Sequence, residues 1–279
     1  MMNKDLLIAD SGSTKTDWVW GNQRVQTQGI NPFHQDDDTI RHILQELCET
    51  LHPSPSTILF YGSGVRPELE EKMVRLLHEA FPQASHIEAH SDLLGAARAL
   101  CDHEEGIACI LGTGANSCYY DGHSIAQNTP ALGYILGDEG SGANLGIRFL
   151  NALYKNQLGD AMKVEFEADR QLTMADVIQR VYKEPMANRW LASLSTFIHS
   201  HLNHPTVRQI VMESFREFIR KNLVAYGRNN LPVSAVGSIA FYYRNEWEEA
   251  LRSEGFTIGR ILRSPLDVFS PDGIIPAGE

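Results

Sequence analysis

The 279-residue sequence has no apolar run near the roughly 20 residues that a membrane-spanning helix needs. It has no run of five or more Lys or Arg, and none of its four cysteines forms a Cys-x-x-Cys pair. The first absence argues against a helical membrane protein. The second, with 24 Lys and Arg against 35 Asp and Glu and a formal charge of −11, argues against nucleic acid or anionic membrane as partner. Cys48, Cys101, Cys109 and Cys118 have no histidine at zinc-finger spacing, so they read as buried thiols of a reducing compartment. The eleven histidines are scattered, and metal ligation by them is not expected. The opening "MMNKDLLIAD" has four apolar residues in a row before Asp10, too few for a signal peptide, which predicts a cytoplasmic protein.

What remains is ample for a folded protein. Apolar residues make up 43% and aromatics 9%, which excludes global disorder, and the length suits one large domain or two lobes. The glycines are uneven: nine of 22 fall from Gly106 to Gly146, whereas none lies between Gly159 and Gly227. The first stretch predicts sharp turns or close backbone approach, the second helices.

Apolar patterning predicts strands at 4–10, 15–20 and 24–29, a helix over 35–51, a strand at 57–64 and a helix over 67–80. A short strand at 85–90 then leads into a helix opened by Ser91-Asp92. The second half begins in the same way, with strands at 106–114, 117–120 and 123–128. "IADSGSTKTDWVWGNQRVQTQ" and "CILGTGANSCYYDGHSIAQN" both read strand, glycine turn, strand, tight turn, strand, at an offset of about 100 residues. Helices are expected near 141–157, 173–183, 187–202 and 205–227, then a strand at 233–237, a helix at 239–253 and a strand near 255–262. This alternation is an α/β pattern.

Two glycine turns suggest a phosphate cradle. In "DSGSTKTD" the amides of residues 11–15 can face one concavity, with the Ser11, Ser13 and Thr14 hydroxyls and the Lys15 ammonium nearby. "GTGAN" offers a second set of amides and the Thr113 hydroxyl. Neither matches the P-loop or dinucleotide fingerprint, and such a turn taken singly is more often a plain hairpin turn. Asp10, where the first strand meets the turn, suits a magnesium ion or an Asx turn. Asp92 suits a helix cap or a general base for a substrate hydroxyl. In "GDEGSG" Asp138, beside Glu139, suits sugar hydroxyls, or else Asp138 or Ser141 caps the next helix.

Five ordered blocks, "LIADSGSTKTDWVW", "SDLLGAARAL", "CILGTGANSCYYDG", "GYILGDEGSGANLG" and "VSAVGSIA", resemble the N-acetylglucosamine kinase family, over roughly residues 4–262. That family groups with BadF/BadG/BcrA/BcrD-type ATPases in the actin-like ATPase and sugar kinase superfamily. The resemblance implies two lobes of duplicated ribonuclease-H-like α/β fold, 1–104 and 105–279, with ATP and sugar in an interlobe cleft. It implies phosphorylation of an amino sugar, N-acetylglucosamine at its 6-hydroxyl, with ATP and Mg²⁺, and a homodimer. Asp10, Gly12, Ser13, Thr14 and Lys15 would form the first phosphate loop, with Asp10 at the metal. Thr113 and Gly114 would form the second, and Gly237 with Ser238 the adenosine loop. Asp92 would be the catalytic base, while Asn31, Asn116, Gly133, Tyr134 and Asp138 would bind the sugar.

Three features depart from the family pattern. Tyr134 stands where an indole is common, Val236 replaces a glycine before Gly237, and the tail "SPLDVFSPDGIIPAGE" does not read as an apolar helix. Two other functions fit a related fold: an iron–sulfur activator ATPase of a CoA-ester dehydratase or reductase, and a non-catalytic sugar sensor. No cysteine sits beside an exposed glycine turn, and the retained Asp10, Asp92 and both turns speak against a decayed site.

Overall fold

The computed structural model describes residues 5–12, 14–270 and 273–274. These divide into two compact units, one up to His103 with Gly122–Ser124 and the residues from Ser264, the other Glu104–Asp121 with Ile125–Arg263. Among the described residues no helix is long and apolar enough to cross a membrane.

The first unit contains β1 (Leu6–Ser11), β2 (Lys15–Trp20), β3 (Gln23–Gln28), α1 (Asp37–Leu51), β4 (Thr57–Gly62), α2 (Pro67–Ala80), β5 (His86–Ser91) and α3 (Asp92–Cys101). Its sheet runs β3-β2-β1-β4-β5, an antiparallel meander extended by two parallel strands. Helix α1 shows why the local pattern is read correctly. Asp36 caps it by accepting the Thr39 N–H at 2.9 Å, and Ile40, Ile43, Leu44, Leu47 and Leu51 turn one apolar stripe to the sheet. Pro67 opens α2, where its missing N–H costs nothing. The stripe packs on Trp18, Phe60 and Leu7, all fully buried.

The second unit repeats that plan. Strands β6 (Glu105–Leu111), β7 (Ala115–Asp121) and β8 (Ile125–Thr129) form the meander, and β9 (Pro232–Val236) and β10 (Thr257–Leu262) add in parallel, giving the order β10-β9-β6-β7-β8. Between β8 and β9 lie α4 (Gly133–Leu136), α5 (Gly142–Tyr154), α6 (Asp160–Arg170), α7 (Met174–Tyr182), α8 (Ala187–Ser193), α9 (Ser195–Ser200) and α10 (Pro205–Phe218). Helices α11 (Ser238–Tyr242) and α12 (Arg244–Ser253) precede β10. Phe149, Phe166, Phe197, Phe215, Phe218 and Trp247 make an aromatic core.

Three differences from the sequence expectation stand out. Helix α6 was not anticipated, because only Met162 and Phe166 of it are buried. The expected helix 205–227 changes winding, becoming a π turn at Ile219–Leu223 and a 3₁₀ turn at Val224–Tyr226. The described tail starts with a 3₁₀ turn, Pro265–Asp267, and groups with the first unit rather than the second. The cause is packing: Leu266 buries against Ile8, Tyr61 and Ala99, and Arg24 Nη2 donates to the Leu266 carbonyl at 3.0 Å.

Candidate active site

In the first unit the candidate residues collect at the carboxyl ends of parallel β1, β4 and β5, where Ser11 pairs with Gly62 and Gly62 with Ser91. That edge is where open α/β sheets bind ligands. Asp10 is the penultimate residue of β1 and Asp92 the first residue of α3. Burial pushes the Asp10 carboxyl up to about 7, helped by the charges of Asp92 and Asp17 and opposed by Lys15. Burial also pushes Asp92 up to about 6, although its Oδ1 accepts the Leu93 N–H at 2.8 Å. The helix cap is Ser91, whose Oγ accepts the Leu94 N–H. Ser91 thus takes the N-cap position, and Asp92 holds only the adjacent Leu93 N–H, through Oδ1.

The β1–β2 turn is closed by backbone, Gly12 N–H to the Lys15 carbonyl at 3.0 Å. It rests on Gly29, where any Cβ would come within 2.5 Å of the Gly12 carbonyl oxygen. Thr14 and Lys15 are exposed, and Lys15 pairs with Asp17 at 2.8 Å. Ser13 lies outside the described residues. Ser11 corrects the sequence reading. Its hydroxyl is fully buried and bonds Thr16 Oγ1 at 2.6 Å and the Ile30 carbonyl at 2.9 Å, so it braces the turn instead of offering a donor to an anion. Asn31 follows directly, with Oδ1 accepting the Phe33 N–H and the side chain packed against Gly64.

In the second unit the β6–β7 turn docks on the start of α5: the Gly112 and Thr113 carbonyls accept the Gly142 and Ala143 amides at 2.8 and 3.2 Å. Gly237 directly follows the neighbouring strand β9. Its N–H donates to the Leu262 carbonyl, and with φ of 120° a Cβ there would overlap the Leu111 carbonyl oxygen. Thr113, Gly114, Gly237 and the exposed Ser238 thus share one edge of the second sheet. Asp138, at φ of 57°, sits against Gly114, where a Cβ would lie 2.9 Å from Oδ2. Its carboxyl is raised by burial and held by the Ala115 amide. Asn116 Oδ1 accepts from Ser117 N–H and Asn128 Nδ2. Ser141 caps α5 through the Asn144 N–H, so Asp138 has no capping task. Tyr134 packs on the aromatic core, whereas Leu132, Ile135 and Leu136 around it are exposed.

A cavity of about 210 Å³ in this unit is lined by Ala115, Thr129, Asp138, Glu139, Lys221 and Asn222, among others. The last two come from the glycine-free stretch that reads only as helix in sequence. Cys109 and Cys118 are wholly buried on β6 and β7, and no group of three or more His, Cys, Asp or Glu among the described residues is arranged to hold a metal ion.

Comparison with known proteins gives a consistent result. A Porphyromonas gingivalis structure assigned as an N-acetylglucosamine kinase matches at 44% identity, covering 94% of this chain and 96% of that one, with a TM-score of 0.92. A Chromobacterium violaceum structure with the same assignment matches at 17% identity, covering 91% and 94%, with a TM-score of 0.61, a likeness of fold. The N-acetylmuramic acid/N-acetylglucosamine kinase of Clostridium acetobutylicum is 28% identical over 123 residues, 42% of this chain and 40% of that relative's length. No family model matches the chain.

Proposed function

The chain belongs to the N-acetylglucosamine kinase family, and from that premise we propose that it transfers the γ-phosphoryl group of ATP to the 6-hydroxyl of an amino sugar, N-acetylglucosamine first among them. The observation that carries the reading is Asp92, a carboxylate that burial pushes up to about 6, beside rather than at the N-cap of α3 and at the same strand edge as Asp10. A base poised just below neutral pH is ionised in use and still able to accept a proton. Asp92 takes the proton of the 6-hydroxyl as that oxygen attacks phosphorus, and orients the oxygen for in-line displacement. Asp138, Asn116 and Asn31 bind the other sugar hydroxyls, with the backbone at Gly133 and Tyr134.

Gly12, Ser13, Thr14 and Lys15 contact the phosphates from the first turn, Thr113 and Gly114 from the second, and Gly237 with Ser238 receives adenosine. Bare backbone at Gly12 and Gly112 leaves room for that approach: a Cβ at Gly112 would meet nothing within 4 Å. Asp10 would hold a hard cation through its single carboxylate with water completing the shell, since no group of three or more acids or histidines among the described residues forms a protein cage. Magnesium bound at Asp10 supplies charge neutralisation on the phosphates. A cytoplasmic location goes with ATP as donor.

The test is ATP-dependent phosphorylation across N-acetylglucosamine, glucosamine, N-acetylmannosamine, N-acetylmuramic acid and glucose. Phosphorylation of N-acetylglucosamine at the 6-position is expected to dominate. A protein that phosphorylates none of these sugars is not the kinase described.

A further inference from the structure

The loop at residues 137–141, which carries Asp138, is tied down by side chains that have no part in the roles above. Glu139 is only 13% exposed, and its Oε1 receives Lys221 Nζ at 2.7 Å. Lys221 Nζ also approaches Glu217 Oε2 at 3.3 Å, and the same oxygen accepts from Arg148 Nη2 at 2.7 Å. Arg148 Nε donates to Asn144 Oδ1 at 2.7 Å. Ser214 Oγ donates to that oxygen at 2.8 Å and accepts the Gly140 N–H at 3.0 Å. The network therefore closes on itself, leaving the loop at Glu139 and returning to it at Gly140. Its charges alternate along the path, so the sheltered Glu139 carboxylate stays compensated.

Two further observations give this circuit a purpose. Asp138 holds φ of 57°, a left-handed conformation that aspartate tolerates better than most non-glycine residues but that the loop must still keep in place. Lys221 stands on the π turn at Ile219–Leu223, where α10 departs from regular winding, a distortion common at functional sites. The same π turn bonds the other wall of the 210 Å³ cavity, since the Asn222 carbonyl accepts Thr129 Oγ1 at 2.8 Å, and the 3₁₀ turn that follows adds a second bond, Thr129 N–H to Tyr226 Oη at 3.0 Å. One irregular turn thus grips both edges of the cavity that Asp138 lines.

We propose that Lys221 and Glu217, acting through Glu139, and Ser214, acting through Gly140, are positioning residues that hold Asp138 in the geometry that receives the sugar. The identity of the ligand rests on the function proposed above; the coupling of π turn to loop does not.

The experiment compares Lys221→Met, Lys221→Arg and Ser214→Ala with the unaltered protein. It measures KM for N-acetylglucosamine, KM for ATP, kcat, and hydrogen exchange of the peptide spanning 137–141. Lys221 is more than half exposed, so its substitution opens no cavity in the core, and the charge-keeping Lys221→Arg separates loss of the ion pair at Glu139 from loss of the fold. In Lys221→Met and Ser214→Ala the sugar KM should rise about tenfold with ATP KM within about twofold, and exchange in 137–141 should quicken. Lys221→Arg should restore most of both. Sugar KM within about twofold of the unaltered protein, unchanged exchange, or an equal rise in both KM values would overturn the proposal, the last by showing general loosening. If the unaltered protein phosphorylates no amino sugar, the proposed function fails on its own account, while the exchange comparison still decides whether Lys221 and Ser214 hold the loop.

Discussion

Replacing Asp92 with Asn should abolish most turnover and at the same time make the protein more stable. The carboxyl is pushed from 3.8 to about 6 by burial, so its ionised form is less comfortable in the folded state than in the unfolded chain. The folded state binds the proton more tightly, and stability therefore falls as pH rises from about 4 to 6. A shift from 3.8 to about 6 corresponds to ~3 kcal/mol at neutral pH if the group were wholly enclosed, and partial exposure of the side chain leaves about 1–2 kcal/mol. Asn removes the charge, and its own Oδ1 can keep the bond from the Leu93 N–H, while the cap at Ser91 is untouched. Loss of a general base costs ~10²–10⁴ in rate, about 3–5 kcal/mol of barrier.

The assay pairs steady-state phosphorylation with thermal denaturation at pH 7.5, plus nucleotide binding by calorimetry. Lower kcat, higher Tm and unchanged ATP affinity are expected together. In the unaltered enzyme, with magnesium saturating, kcat/KM should drop about tenfold between pH 7 and pH 5, since a group titrating near 6 goes from about nine tenths to one tenth ionised. Near-normal turnover in Asp92→Asn, or a flat acid limb, would refute the assignment. So would a lower Tm, because the rate loss would then reflect damage to the fold.

Two further substitutions probe the turns. Gly237→Ala forces a side chain onto the Leu111 carbonyl at a φ of 120°, and should cost more than about 2 kcal/mol or yield insoluble protein, measured by denaturant unfolding; a Tm within a degree or two of the parent would contradict the packing described. Ser11→Ala removes one buried partner each from the Ile30 N–H and the Thr16 hydroxyl, which keep longer bonds to Thr16 Oγ1 and the Gln28 carbonyl, and should lower stability by about 1 kcal/mol; an unchanged unfolding midpoint would mean that the hydroxyl does not brace the turn.

The strand–turn–strand duplication could be read directly from residues because it rests on local rules. Alternating apolar residues, Gly-containing turns and the apolar stripe from Ile40 to Leu51 each act within a few positions, and the structure places them as read. Other elements have too weak a local preference to be legible. Helix α6 buries two apolar side chains in eleven residues, too faint a period to stand out. The segment from Val207 to Val224 has an unbroken helical stripe, and nothing in it announces the π turn. Asp92 and Asp138 each leave a helix cap and a site role open in the sequence, and only the bonds made by Ser91 and Ser141 show that other residues hold the cap positions.

The division follows the range of the forces. Composition and order of residues were enough for the α/β class, the two glycine turns, the acids at strand ends and the family, since these depend on neighbours close along the chain. Which hydroxyl faces inward, where the tail packs, how far a carboxyl's proton affinity moves and which lysine holds the Asp138 loop depend on groups far apart in sequence. Lys221 reaches Glu139 across 82 positions, and Ser214 reaches Gly140 across 74. Burial and hydrogen bonding at such separations exist only once the chain has folded, so only the folded structure could decide them.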